Sequence, residues 1–197
     1  MNAPMADEPM EAMKTVIWKA LAWQGTERMT IAIGPDIIRV TSRMSGAAEE
    51  GAPFDIDYAA ELRGDWSLKR ITIASRLAPD RRIELWQPEP GIWRDADGSH
   101  LTEFDGCRFI DISLTPWTNT LPIRALDFAD AAERSIEVIY IDLPAFTPHR
   151  ARQNYSRIGA SVYRYTDAEH PGFQADIIVD GDGLVVDYPG LFTRAEG

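Results

Sequence analysis

Short runs in which apolar and polar residues alternate constrain the fold of this chain more than any other feature. A period of two places successive side chains on opposite faces of a β-strand, and a helix would need a longer period. The runs are rich in β-branched or aromatic residues and are bounded by Gly, Pro, Asn or Asp. They contain Phe54, Ile56 and Tyr58; Ile71 and Ile73; Ile83 and Leu85; Ile110, Ile112 and Leu114; Ile136, Val138 and Tyr140; and Phe173, Ala175, Ile177 and Val179. The chain is therefore predicted to be mainly β, with half-buried antiparallel strands.

Two turns support antiparallel connections between these strands. Asp97 and Gly98 lie between one strand that ends near Trp93 and another near Leu101, and residues 180–183 read Asp-Gly-Asp-Gly. Such residues accept the positive φ angles of tight hairpins. The regular spacing of strands and turns favours a large sheet, sandwich or barrel over βαβ units.

Helical patterns are sparse. Thr115 and Pro116 form a typical helix start, with Trp117 and Leu121 at helical spacing behind them, and Pro122 is expected to interrupt the helix. The N-terminus leaves two interpretations open: Asp7 favours a capped helix, whereas Val16 to Trp18 favour a first strand.

Length and composition bound the organisation of the chain. At roughly 150 residues per domain, 197 residues predict a flexible tail over 1–14 and one domain over 15–197. The 31 acidic residues exceed the 20 basic ones and give a net charge of −11, which disfavours a nucleic-acid partner.

Three features of the sequence bear on the cellular compartment. Cys107 is the single cysteine, the N-terminus lacks the features of a secretory signal, and no run approaches the ~18 apolar residues of a spanning helix. We therefore expect a cytoplasmic protein without a spanning membrane segment.

Catalytic and cofactor motifs are absent from the sequence. It contains no GxxxxGK[ST] loop, GxGxxG, GxSxG or HExxH. His100, His149 and His170 are far apart along the chain, so no zinc site is expected, and the DGDG stretch lacks the glutamate of a calcium loop. We predict no metal and no cofactor.

Carboxylates and aromatic rings are the main chemical resources. Two carboxyl groups on one concave face can serve as the acid and base of a glycosidase, or can accept hydrogen bonds from sugar hydroxyls without any reaction. The six Trp residues offer flat apolar faces for a sugar ring or an acyl chain, and equally suit a sheet core. Arg150, Arg152, Arg157 and Arg164 form a local basic stretch that either holds an anionic headgroup or pairs with the protein's own acids.

Five segments together resemble a known family. They are TPWTNTLPIR at 115–124, DGDGLVVDYPGLFTR at 180–194, GCRFIDIS at 106–113, Asp65-Trp66, and Gln153-x-Tyr155. The segments are similar to the bacterial glycolipid-binding family, a domain of unknown function whose shape is similar to that of lipoprotein localisation factors. The resemblance implies a large antiparallel sheet curled into an open barrel or roll around a single helix, a homodimer and an acidic pocket.

The sequence departs from the family pattern at two positions. Trp117 stands where Phe is expected, which keeps an aromatic ring. Ala125 stands where a second arginine commonly follows Arg124, which weakens an anion site made of adjacent arginines.

The resulting hypothesis is a glycolipid-binding protein of cell-envelope glycolipid metabolism. An acyl chain would lie in the concave interior, and carboxylates at its mouth would accept hydrogen bonds from sugar hydroxyls. The candidate ligand-binding residues are Glu27, Asp65, Asp111 and Asp187 as acceptors, Thr118, Asn119 and Arg124 as shaping or donor groups, and Trp66, Gln153 and Tyr155. Two alternatives remain open: a carboxylate-dependent enzyme that acts on a glycan or glycolipid, and a non-catalytic structural dimer module.

Overall fold

The alternating runs form strands of one sheet in the computed structural model, which describes residues 12–48, 51–130, 132–170 and 172–195. The strands are β1 (Ala12–Ala20), β2 (Gln24–Ile33), β3 (Ile37–Ala47), β4 (Pro53–Arg63), β5 (Leu68–Ser75), β6 (Arg82–Glu89), β7 (Ile92–Arg94), β8 (Phe109–Ile112), β9 (Arg134–Asp142), β10 (Thr147–Arg157), β11 (Val162–Asp167), β12 (Gln174–Val179), β13 (Val185–Tyr188) and β14 (Phe192–Arg194). Helix α1 spans Thr120–Ala125, and 3-10 turns span Thr102–Phe104 and Trp117–Asn119. The prediction of a mainly β fold is confirmed.

The sheet consists of two meanders that meet at the chain ends. Its strand order is β7-β6-β5-β4-β3-β2-β1-β14-β13-β12-β11-β10-β9-β8. The two meanders join where β1 pairs with β14, with Trp18 opposite Arg194. The turns predicted from glycine are present, since Gly98 and Gly183 both have positive φ angles, of 84° and 77°. Hairpin connections of this kind keep neighbouring strands antiparallel.

One strand pair departs from the antiparallel prediction. β8 and β9 are parallel, with Ile112 opposite Ile141. Parallel neighbours need a crossover connection, because the chain must return to the same end of the sheet before the second strand begins. The described residues between β8 and β9, 113–130 and 132–133, belong to this crossover, and they include both the Trp117–Asn119 turn and α1.

The crossover occupies the concave side of the sheet. Trp117 stacks on Tyr58 of β4 with ring centroids 5.3 Å apart, and Asn119 accepts a hydrogen bond from Tyr155 of β10 at 2.8 Å. These contacts reach strands from both meanders, so the sheet curls around the segment. Pro122 lies in the first turn of α1, where a missing N–H costs no intrahelical hydrogen bond, and the expected interruption does not occur there.

The two edges of the curled sheet approach each other without forming a ladder. Gly106 donates to the carbonyl of Gly91 at 2.9 Å, and Trp93 Nε1 donates to the carbonyl of Cys107 at 2.6 Å. The segment before β8 therefore bonds to the β6–β7 hairpin. The sheet is curled but not closed, as expected for an open barrel or roll.

The concave interior is largely filled by side chains. Trp18, Trp93, Trp117 and Leu121 are completely buried. The hypothesis that an acyl chain lies in this interior stays a prediction, and the side chains of the crossover restrict the space that is left for it. Cys107 is also fully buried, as a small core residue.

The N-terminal part of the chain was open to two interpretations, a capped helix and a first strand, and the structure describes it from residue 12 onward. β1 already begins at Ala12 and includes Val16 to Trp18, so the strand interpretation is confirmed. Asp7 and most of the predicted tail over 1–14 lie outside the described residues.

Candidate functional site

One pocket, called here the Asp111 pocket, lies among β8, β9, β10, β11 and the chain around β13 and β14. Its volume is about 370 Å³. That size lies at the small end of the range of roughly 300–1,000 Å³ that is typical of sites for small molecules. The crossover segment bounds it on the inside through Thr115 and Asn119.

Asp111 forms the polar floor of this pocket. Thr118 donates its hydroxyl to Asp111 Oδ1 at 2.8 Å, and Gln153 Nε2 donates to Asp111 Oδ2 at 2.6 Å. Burial raises the pKa of Asp111, and the hydrogen bonds from Thr118 and Gln153 only partly offset this effect. Each of its oxygens already has a donor, and a carboxylate oxygen can accept a second one.

Gln153 provides an acceptor that is not used within the protein. Its amide oxygen is buried and receives no hydrogen bond of acceptable geometry from a described residue. The Tyr165 hydroxyl interacts with this amide without completing such a bond. Because buried acceptors are normally satisfied, this oxygen is a candidate partner for a ligand donor.

Aromatic rings form one wall of the pocket. Tyr165 packs edge-on against Tyr155 and Phe173, with centroids 5.4 Å and 5.9 Å away. Tyr188 lies next to Tyr165 and continues the wall to Phe192, at 6.2 Å and 6.4 Å. Tyrosines combine an apolar face with a polar tip, so this wall suits a ligand with both kinds of surface.

Charged side chains of both signs surround the mouth. Asp167 Oδ2 lies 3.0 Å from His170 Nδ1, and Asp167 Oδ1 accepts the backbone N–H groups of Glu169 and His170. Burial alone would raise the pKa of Asp167, but these hydrogen bonds outweigh it and lower the pKa. Glu169, His149 and Arg152 also line the pocket. Among the described residues, Arg152 pairs with Glu137 alone, at 3.6 Å, so part of its guanidinium can face a ligand at the mouth.

Glu27 lies in a separate buried cluster. Its Oε1 accepts hydrogen bonds from Ser42 and Tyr58, each at 2.7 Å, and the Thr115 hydroxyl also interacts with the carboxyl. Burial raises the pKa of Glu27 to about 7 despite these donors. The adjoining cavity has a volume of only about 10 Å³, room for about one water molecule. Glu27 is therefore placed in the core and not in the Asp111 pocket.

Three further candidates lie around the β4–β5 turn and α1. Asp65 Oδ1 accepts the backbone N–H and the hydroxyl of Ser67 at 2.9 Å and 2.6 Å, and these bonds lower its pKa. Trp66 is buried with a φ of 66°, and the Arg124 guanidinium lies 5.1 Å from the centroid of its ring. The turn therefore uses Asp65 to hold its own backbone, and it pairs Trp66 with Arg124 away from the Asp111 pocket.

The remaining candidates divide into two groups. The structure joins Asp111, Thr118 and Gln153 by hydrogen bonds, and Asn119 and Tyr155 form a separate hydrogen-bonded pair. Asp187, half-exposed on β13 opposite Thr193 of β14, does not line the pocket although its neighbour Tyr188 does.

Sequence reasoning missed two important pocket residues, Tyr165 and Asp167. Tyr163, Tyr165 and Asp167 are spaced two residues apart along β11 and therefore lie on the same face of the strand. This spacing could have identified that face as the inward one. No group of three or more His, Cys, Asp or Glu able to hold a metal ion occurs within the described ranges. In the same part of the chain, no helix has both the length and the apolar character needed to cross a bilayer.

Comparisons with known proteins agree with this fold. The family described as "Putative glycolipid-binding" matches residues 15–194. The crystal structure of a DUF1089 family protein from Pseudomonas aeruginosa is similar to this chain, with 38% sequence identity and a TM-score of 0.77. The similarity covers 86% of this chain and 92% of that protein. No curated protein matches the chain. Because the family match spans nearly the whole chain, this protein belongs to the putative glycolipid-binding family.

Proposed function

We propose that this protein binds the sugar headgroup of a glycolipid in the Asp111 pocket. The observation that carries the proposal is the combination of polar acceptors on the floor with a wall of tyrosines. Asp111 and the free amide oxygen of Gln153 can accept hydrogen bonds from sugar hydroxyls, and Tyr165 and Tyr188 offer faces for the apolar side of a sugar ring. The family description supports the same ligand class.

The size of the pocket limits which part of a glycolipid it can hold. Its volume of about 370 Å³ corresponds to roughly a dozen water-sized groups at ~30 Å³ each, enough for a sugar ring and some water. A chain of about sixteen carbons, at a similar ~30 Å³ per methylene, would need roughly 480 Å³. The headgroup therefore enters the pocket, and the acyl chains stay at or beyond its mouth, where Phe173 is 40% exposed.

A binding titration tests the site directly. The wild-type protein and the variants Asp111→Asn and Tyr165→Ala are titrated with a panel of methyl glycosides and short-chain glycolipids by calorimetry. Loss of one charge-assisted hydrogen bond is expected to weaken binding about ten- to a hundredfold in Asp111→Asn. Glu89→Gln, at an exposed position at the end of β6, is the matched control and should bind like the wild type. A panel in which no glycoside binds, or in which Asp111→Asn binds as tightly as the control, would contradict the proposal.

A glycosidase activity is the second candidate, and the pair Asp111 and Asp167 favours it. Both carboxyl groups line the same pocket, and the pKa is raised for Asp111 and lowered for Asp167. Such a divergence is the usual division between a proton donor and an ionised partner. Asp65, far from this pocket, takes no part. If the protein is an enzyme, Asp111→Asn and Asp167→Asn each abolish turnover of a glycoside in a broad substrate panel. A panel without turnover by the wild type would leave binding as the function.

The proposal also covers the oligomeric state of the protein and its cellular compartment. We propose a homodimeric, cytoplasmic bacterial protein whose pocket is acidic overall, supported by the family resemblance and by Asp111, Asp167 and Glu169 in the lining. Light scattering coupled to gel filtration tests the dimer, and fractionation of the native cells tests the location. A monomer at micromolar concentration, or recovery with the periplasm, would contradict these two parts.

A further inference from the structure

About half of the 17 arginines of this acidic protein form ion pairs with described carboxylates. Arg164 donates through Nε to Asp176 at 2.8 Å, and Arg194 donates through Nη1 to Asp180 at 2.8 Å. Arg124 and Arg157 form no ion pair with a carboxylate among the residues that the structure describes, and several other arginines, Arg81 among them, also lack one. These two arginines are distinguished by their position, because both line the same groove and Asp180 is the one carboxylate among its described lining residues.

Both unpaired arginines line one surface groove, called here the Arg124–Arg157 groove. Its volume is about 490 Å³, and Ser161, Tyr163 and Gly183 also line it. The groove is formed where the end of α1 approaches the ends of β10 and β12 and the turn after β12.

Arg124 is held in the groove by its stem and its guanidinium. The guanidinium lies over Trp66 at 5.1 Å from the ring centroid, a cation–π contact. Gly183 has a φ of 77°, and a Cβ built there would lie 2.6 Å from Arg124 Cδ. The glycine therefore leaves the space that the arginine stem needs, and no hydrogen bond within the described structure uses the Arg124 guanidinium.

Arg157 is fixed by contacts that leave part of its guanidinium unused. Its Nε donates to the carbonyl of Gly159 at 3.1 Å, and its Nη2 donates to the carbonyl of Ala160 at 2.7 Å. The guanidinium also lies 6.0 Å from the centroid of the Tyr163 ring. Nη1 has no such acceptor and remains available to a ligand.

The carboxylate of Asp180, which also lines the groove, is already neutralised. Its Oδ2 receives Lys14 Nζ at 2.6 Å and Arg194 Nη1 at 2.8 Å, and its Oδ1 accepts the backbone N–H groups of Asp182 and Leu184. It therefore offers the two unpaired arginines no bond and repels an incoming anion only weakly.

The groove is distinct from the Asp111 pocket. Gln153 in the pocket and Arg157 in the groove lie four positions apart on β10, or roughly 13 Å at ~3.3 Å per residue. The Tyr155 hydroxyl bonded to Asn119 fills the space between them. A ligand seated in one site does not reach the other through the interior.

We propose that the Arg124–Arg157 groove is a second binding site, which takes a phosphate group. Guanidinium groups bind phosphate oxygens through paired, charge-assisted hydrogen bonds. Two of them line this groove, and its carboxylate, Asp180, is already paired with Lys14 and Arg194. The phosphate belongs either to a free ion or small phosphate ester, or to a phospholipid headgroup.

The test compares two sources of phosphate at constant ionic strength. Inorganic phosphate is titrated by calorimetry, and flotation measures binding to phosphatidylcholine vesicles with and without phosphatidic acid. The variants are Arg124→Gln and Arg157→Gln, with Arg81→Gln as the control of equal charge change. Arg81 is exposed, and its guanidinium donates only to the Pro144 carbonyl among the described residues. Thermal melts verify that each variant is folded. If Arg124→Gln does not fold, the comparison of Arg157→Gln with Arg81→Gln and the wild type is the test.

Each outcome decides the proposal. Arg124→Gln and Arg157→Gln should each weaken phosphate binding about tenfold or more, and Arg81→Gln should leave it within about twofold. The same pattern confined to vesicles with phosphatidic acid would support the site and identify a lipid headgroup as the source. Absence of binding to both probes, or equal weakening in all three variants, would overturn it.

Discussion

The buried carboxyl of Glu27 makes the stability of this protein depend on pH near neutrality. Its pKa of about 7 in the folded chain, against 4.5 for an ordinary glutamate, corresponds to roughly 3 kcal/mol at ~1.4 kcal/mol per pKa unit. Because the folded pKa is raised, the neutral carboxyl stabilises the protein fully below about pH 4.5, and this contribution is lost as the pH rises through 7. Above that range the folded protein holds a buried charge.

The substitution Glu27→Gln removes the titration and keeps an acceptor for Ser42 and Tyr58. Urea unfolding at intervals from about pH 4 to pH 8.5 gives the free energy of unfolding of both proteins. The variant should gain roughly 3 kcal/mol relative to the wild type between the acid and alkaline ends, since all other groups titrate alike in both. Glu89→Gln, an exposed change, should show no such trend. A constant difference between wild type and Glu27→Gln, or one of opposite sign, would refute the reasoning.

Three further predictions concern packing and the pocket. Trp117→Ala should lower the free energy of unfolding, measured by urea unfolding, by about 3–5 kcal/mol. The ring is fully buried and stacks on Tyr58, so its removal leaves a cavity. Gly183→Ala should cost about 1–2 kcal/mol in the same assay, because its φ is 77° and its Cβ would displace Arg124. Sugar affinity measured by calorimetry should rise as the pH increases through the raised pKa of Asp111, since the carboxylate accepts hydrogen bonds better than the acid, and Asp111→Asn should lose this dependence.

Strands whose inward positions are uniformly apolar could be predicted from the sequence. Ile71 and Ile73 are both fully buried in β5, as their spacing implies. β2 and β3 were not predicted, because Glu27 and Ser42 occupy inward positions and break the apolar alternation. The parallel pairing of β8 with β9 could not be predicted either. It depends on a crossover through the interior, and local patterns do not indicate which strands a connection joins.

Residues of the Asp111 pocket could be predicted from the sequence only where they belong to the segments that resemble the family. Asp111, Asn119 and Gln153 come from different parts of the chain, and the resemblance to the family is what indicated all three as site residues. Tyr165 and Asp167 belong to the same pocket but lie outside those segments. Assigning them requires the register of β11 against β10, where Gln153 is opposite Asp167.

Copurification of lipid with the protein tests the central claim most directly. The wild type and Asp111→Asn are purified from the cells that naturally make the protein, examined by native mass spectrometry and extracted for lipid analysis. The account predicts a glycolipid bound to the wild type and depleted in Asp111→Asn, with Glu89→Gln like the wild type. If no glycolipid copurifies and none added back raises the melting temperature of the wild type, the account is contradicted.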